Sequence, residues 1–244
     1  MTIPYKLVDL THPLTASTPL WDNSCGFNHT TLLDYADCTS EVNFRVQGIN
    51  MPAGIGTHMD APAHCDSQGK TIDAISLQDC LAPCVVIDIS EKAHETYLCS
   101  MQDILNFEKQ YRPIHSGDFV IIHTGWSRHW LMPAQYRNNL QFPSVSKEVA
   151  LLLIGRDIAG LGIDTLGPDT PESGYPVHQI ILGQGKYLVE NVANADLLPP
   201  VGSAILVAPL FIFGGTEAPV RLIGFIERSR GSFQEGTKFP EVPL

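Results

Sequence analysis

Five short apolar runs set the architecture open to this chain. They are CVVIDI at 84–89, FVIIH at 119–123, IAGLGI at 158–163, AILV at 204–207 and RLIGFI at 221–226. Each is too short for a stable helix and is bounded by Gly, Pro or Asp. Most are rich in β-branched residues. Such runs read as buried strands. Helix candidates fall between them. The segment 100–110 opens on Ser100, a capping residue, and carries Ile104, Leu105 and Phe107. The segment 146–153 follows a Pro–Ser turn with Ser146 as its cap, and 178–182 runs into Gly183 and Gly185. Strands alternating with helices give a mixed α/β fold. No repeat and no low-complexity linker divides the 244 residues, so one domain spanning 1–244 is expected. The polar tail 231–244, with Pro240 and Pro243, reads as an extended C-terminal arm or a partly disordered one.

Charge excludes several functions. Fifteen Lys and Arg stand against 26 Asp and Glu, a net charge of −11. Nucleic-acid backbones need a basic stripe, and membrane-surface helices need a basic face, so neither partner is expected. No apolar run is long enough to span a bilayer. The first 14 residues lack a basic region followed by an apolar one. The six cysteines, at 25, 38, 65, 80, 84 and 99, form no Cys-x-x-Cys pair. A cytoplasmic protein with free thiols is the expectation.

The chemistry concentrates in GIGTHMDAPAH, residues 54–64. His58, Asp60 and His64 place three potential ligands within seven residues. Positions 58 and 60 share one face of an extended chain and can touch one ion. Imidazole with carboxylate suits zinc, manganese or iron(II). Pro62 ends regular pairing, which lets His64 turn back toward the same pocket. Gly54 and Gly56 permit close backbone approach. The plain alternative is a hydrogen-bonded turn, since His-x-Asp alone is common.

The run GTHMDAPAH resembles the central motif of the cyclase family of metal-dependent hydrolases, which includes bacterial kynurenine formamidase and isatin hydrolase. That motif reads His-x-Gly-Thr-His-x-Asp-x-Pro-x-His. Other segments resemble the family in the same order. They are DLTHPLTASTPLW (9–21), VIIHTGW (120–126), FPSVS (142–146), GIDTLGPD (162–169) leading to His178 and Glu190, and GGTEAPVR (214–221), similar to Gly-Gly-Asp-Gly-Ala-Pro-x-Arg.

The resemblance implies an α/β swivelling β/β/α fold, a mixed central sheet or barrel with a few outer helices. It implies a divalent metal, zinc first and manganese second, held by His58, Asp60, His178 and Glu190. It makes His64 the catalytic acid/base and Trp21 a substrate-binding residue. The partner is a small molecule, and a homo-oligomer, dimer or tetramer, is expected. The expected activity is hydrolysis of an amide-like C–N bond in a small aromatic or cyclic substrate. A degenerate binding relative and a metal-dependent cyclase or dehydratase are the alternatives. One departure matters: the first histidine of the motif falls at Gly54, which cannot ligate. A single metal on Asp60, His178 and Glu190 is therefore expected, with His58 a fourth ligand or a supporting group.

The remaining candidates read as structural. His123 is expected to be a hydrogen-bonded core histidine, and Trp126 and Trp130 core or interface residues. Cys65 reads as a small packed residue. His12 and His29 read as exposed, either being able to replace the missing ligand if its loop folds inward. Arg221 is expected to pair with a buried carboxylate, and Glu172 to be a solvated loop charge.

Overall fold

The computed structural model describes residues 3–22 and 26–228. The expected arm at 231–244 lies outside the described residues. Twelve strands are described: β1 (Tyr5–Asp9), β2 (Asn28–Leu33), β3 (Val46–Asn50), β4 (His58–Asp60), β5 (Leu81–Asp88), β6 (Leu98–Cys99), β7 (Phe119–His123), β8 (Ser144–Val145), β9 (Gly160–Ile163), β10 (Tyr187–Glu190), β11 (Ser203–Pro209) and β12 (Glu217–Glu227). The α-helices are α1 (Met101–Gln110), α2 (Pro133–Arg137), α3 (Lys147–Gly155) and α4 (Pro176–Gly183).

Seven strands close into a barrel in the order β12-β11-β5-β7-β9-β10-β4, with β4 pairing back to β12 and β1 added outside on β12. The pairs β5–β7, β7–β9 and β9–β10 are parallel, while β4 is antiparallel to both of its neighbours. Closure removes the open edges that a curled sheet would otherwise expose.

Alternation along each strand sorts the core into two layers. Cys84 and Val86, Phe119 and Ile121, and Met59 and Val189 point into the barrel. Val85, Ile87, Val120, Ile122, Leu161, Ile163 and Leu188 point outward, against Ile104 and Phe107 of α1, Val149 and Leu153 of α3 and Val177 and Ile181 of α4. Both faces are buried, which is why these strands read as continuous apolar runs. Gly160 and Gly162 leave room for the Phe119 ring, which a Cβ at either position would meet at 2.9–3.0 Å.

The expected strands and helices all form, within two to four residues at their ends. Ser100 donates its N–H and hydroxyl to Asp103, and Ser146 Oγ accepts from Val149 N–H at 3.2 Å. The described cysteines are free thiols. Among the described residues, no helix is long and apolar enough to cross a membrane.

Candidate active site

The site grows out of β4. Met59 turns into the barrel, so His58 and Asp60 point to the opposite, outer face. Strand β10 places Glu190 opposite His58, and β12 places Glu217 opposite Asp60. Directly paired residues share a face. Three carboxylates and an imidazole are thus gathered by strand register alone. His178 joins them from the first turn of α4, which is anchored by Val177, Ile181 and Leu182.

Both histidines are held in one tautomer. His58 Nδ1 donates to the Gly56 carbonyl at 2.9 Å, and His178 Nδ1 donates to Asp169 Oδ2 at 2.8 Å. Asp169 also accepts from the N–H groups of Val177 and His178, fixing the start of α4. With Nδ1 occupied, each neutral imidazole turns its Nε2 lone pair inward. His58 Nε2 lies 3.4 Å from Asp60 Oδ1 and 3.3 Å from Glu190 Oε2. His178 Nε2 lies 3.2 Å from Glu190 Oε1 and 3.8 Å from Asp60 Oδ2.

That arrangement fits a cation. Asp60 Oδ1 and Glu190 Oε1 are buried without a hydrogen-bond partner. Lone pairs facing one another across a buried space need a positive charge between them. Donor atoms of Asp60, His178 and Glu190 lie within 4.8 Å of one another, as do those of His58, Asp60 and Glu217. Ligands about 2.0–2.1 Å from a tetrahedral ion stand about 3.3–3.4 Å apart, close to the separations seen.

In the ion-free protein, protons supply the charge. Burial alone would pull both histidines down. The Asp60 and Glu190 carboxylates outweigh it at His58, which rises to about 10. Asp169, Glu190 and Asp60 do the same at His178, which rises to about 11. Burial and the Glu190 charge push Asp60 up to about 6. Burial works against Glu190 too, but the two imidazoles beside it hold it down at about 2.

The cluster opens into a cavity of about 530 Å³. His64, on a short 3-10 turn after β4, stands at its rim with its side chain 34% exposed. Its ring centroid is 6.2 Å from that of His178. Trp21 lines the same cavity, edge-on to Phe142 at 6.0 Å, and its carbonyl is gripped by Arg137. Tyr175, Leu166 and Pro19 add further apolar wall.

The family described as "Putative cyclase" matches residues 8–170. The chain belongs to the cyclase family. It is similar to kynurenine formamidase of Paracidovorax citrulli, 25% identical over 224 residues that cover 91% of this chain and 98% of the relative. It is similar to the solved structure of isatin hydrolase A from Ralstonia solanacearum, with TM-score 0.83 and 29% identity over 91% of this chain and 92% of that one. A structure described as a potential metal-dependent hydrolase with cyclase activity matches with TM-score 0.72 and 27% identity, covering 92% of this chain and 99% of that one. This cyclase-family chain is an enzyme, a hydrolase related to those relatives.

Within the cyclase-family frame, the structure brings His58, Asp60, His64, His178, Glu190 and Trp21 to one cavity. Three further residues carry the site. Asp169 orients His178, and Asn191 Nδ2 donates to the same Gly56 carbonyl that His58 uses. Glu217 is the third, and it lies outside the ligand-rich motif at 54–64. The empty place inferred at position 54 is not empty. A Cβ on Gly54 would run into the Glu217 carboxylate and stand 3.4 Å from His58 Nε2.

Other expectations are corrected or met. Cys65 is exposed and lines the cavity rather than packing away, because the chain leaves β4 as a 3-10 turn and strand alternation ends there. His12 is not an exposed loop histidine. It stacks on Trp130 at 3.9 Å, where burial lowers its pKa to about 4. His29 lies on the exposed strand β2. His123 is buried, with Nδ1 3.3 Å from Asp164 Oδ2 but without a hydrogen bond to it, and Trp126 and Trp130 form core. Arg221 pairs with Asp9, an exposed carboxylate rather than a buried one. Glu172 is solvated.

Proposed function

We propose that this cyclase-family hydrolase cleaves an amide-like C–N bond in a small aromatic or cyclic substrate, using a divalent metal held by Asp60, His178 and Glu190. The observation that carries the reading is the buried set of inward lone pairs, two of them on unpartnered carboxylate oxygens, facing a cavity walled by Trp21. Zinc is the first expectation for such a nitrogen and oxygen set, with manganese second. The ion when bound supplies Lewis acidity toward a carbonyl oxygen and acidifies a water molecule.

The protein's own groups do the rest. Trp21 and Tyr175 present flat apolar faces that orient an aromatic or planar ring over the cluster. His64 removes a proton from the attacking water as its oxygen adds to the carbonyl carbon. The same imidazole returns that proton to the nitrogen as the C–N bond breaks, leaving an amine and a carboxylic acid, which then ionises by losing its proton to solvent. Such proton transfer contributes roughly 10²–10⁴ in rate. Asp169 keeps the His178 ring in register, and Gly56, bonded by His58 and Asn191, does so for the other imidazole.

Ligands and the proton carrier separate experimentally. His178→Ala and Glu190→Ala should each lower bound metal, measured by elemental analysis of the purified chain. His64→Ala should keep the metal and lose turnover. Equal metal content in all three variants would reject the assignment.

A further inference from the structure

Glu217 has no place in the hydrolysis just described, yet its carboxylate reaches into the same cavity. Strand β12 sets it directly opposite Asp60. Its Oε1 fills the space where a side chain on Gly54 would begin, next to His58 Nε2. Its Oε2 lies 3.5 Å from His64 Nδ1, too long for a strong hydrogen bond, so pairing with His64 does not account for the placement.

Asp60 offers its two oxygens in two directions. Oδ2 faces His178, while Oδ1, buried and without a hydrogen-bond partner, faces His58. Asp60 is only 1% exposed, so that oxygen has no water to turn to. Ligand atoms of His58, Asp60 and Glu217 lie within 4.8 Å of one another.

We propose that Glu217 completes a second divalent-cation position with His58 and Asp60, standing in for the ligand that Gly54 lacks, so that Asp60 bridges two ions. The inference rests on the reading of Asp60, His178 and Glu190 as the first position. Charge supports it. Asp60, Glu190, Glu217 and Asp169 bring four carboxylates to the two neutral imidazoles. One dication leaves this group two charges negative; two dications balance it. The exchange also explains why glycine occupies 54. Gly54 is not among the positive-φ glycines, so its backbone would accept a side chain, and the Glu217 carboxylate is what excludes one.

The test uses the full chain, stripped with chelator and titrated with zinc alone, and separately with manganese alone, by calorimetry and elemental analysis. The wild type should bind about two ions per chain and Glu217→Ala about one. Glu217→Gln, which keeps the shape, should weaken the second ion at least tenfold, as a neutral amide is a poor ligand. The double variant Gly54→His with Glu217→Ala should return to about two ions. Thermal unfolding of the stripped proteins checks that each variant folds. A wild type holding one ion that survives Glu217→Ala and is lost in His178→Ala would overturn this inference and leave the first position standing. A wild type that binds no ion would overturn both.

Discussion

Filling both positions with divalent ions should expel at least about two protons per chain at pH 7.5, one from each imidazole. The ion-free cluster keeps His58 and His178 charged, because the carboxylates around them raise these groups to about 10 and about 11. Both lie well above pH 7.5, so each imidazole is almost fully protonated before the ion arrives. A ligand must offer its lone pair, so both Nε2 protons must leave. Asp60, at about 6, and Glu190, at about 2, have already lost theirs. Affinity should therefore rise about tenfold per pH unit for each ion between pH 7 and 9, about a hundredfold for filling both positions. Below pH 6, Asp60 takes up a proton as well, and the dependence steepens. Calorimetric titration with zinc in buffers of different ionisation enthalpy counts the protons directly. Zero proton release, or an affinity independent of pH over that window, would refute the reasoning, since it would mean that neither imidazole contacts the ion.

The same shifts make a stability prediction of definite sign. His58 and His178 have folded-state values above the unfolded value of about 6.5. Their contribution to the ion-free fold is complete below pH 6.5 and fades as pH rises through 10 to 11. The melting temperature of the stripped protein should fall across that range, and the loaded protein should not share this cause. Phe119→Ala should destabilise the chain by about 3–5 kcal/mol in denaturant unfolding, because the ring is fully buried in the barrel against Gly160 and Gly162. Trp21→Ala should leave metal content unchanged and raise KM about two- to thirteenfold, the loss of one aromatic contact of roughly 0.5–1.5 kcal/mol.

The barrel strands were legible because parallel strands buried on both faces leave uninterrupted apolar runs, as at 84–89 and 119–123. The barrel came only from the resemblance, as one of two forms with an open sheet, because closure depends on the three-residue strand β4, which is too short to give a periodic signal and is occupied by the site itself. The His58–Asp60 pair followed from strand periodicity, and His178 and Glu190 from resemblance. The extra ligand did not follow, because Glu217 lies 163 positions from Gly54 along the chain and meets it only through the pairing of β12 with β4. The sequence does hold a trace of it. In GGTEAPVR the glutamate stands where the resembled element has glycine, so a missing side chain at 54 accompanies an added one at 217. Asp169 was similarly hidden, since its role depends on the chain turning back to the start of α4.

Turnover by the stripped and reloaded enzyme tests the central claim most directly. The chain would be freed of metal with chelator and offered a panel of N-formylanilines and cyclic imides, then supplied with zinc or manganese. The account predicts no hydrolysis before the ion, recovery after it, and metal retained without recovery in His64→Ala. Equal hydrolysis by stripped and loaded protein would contradict it.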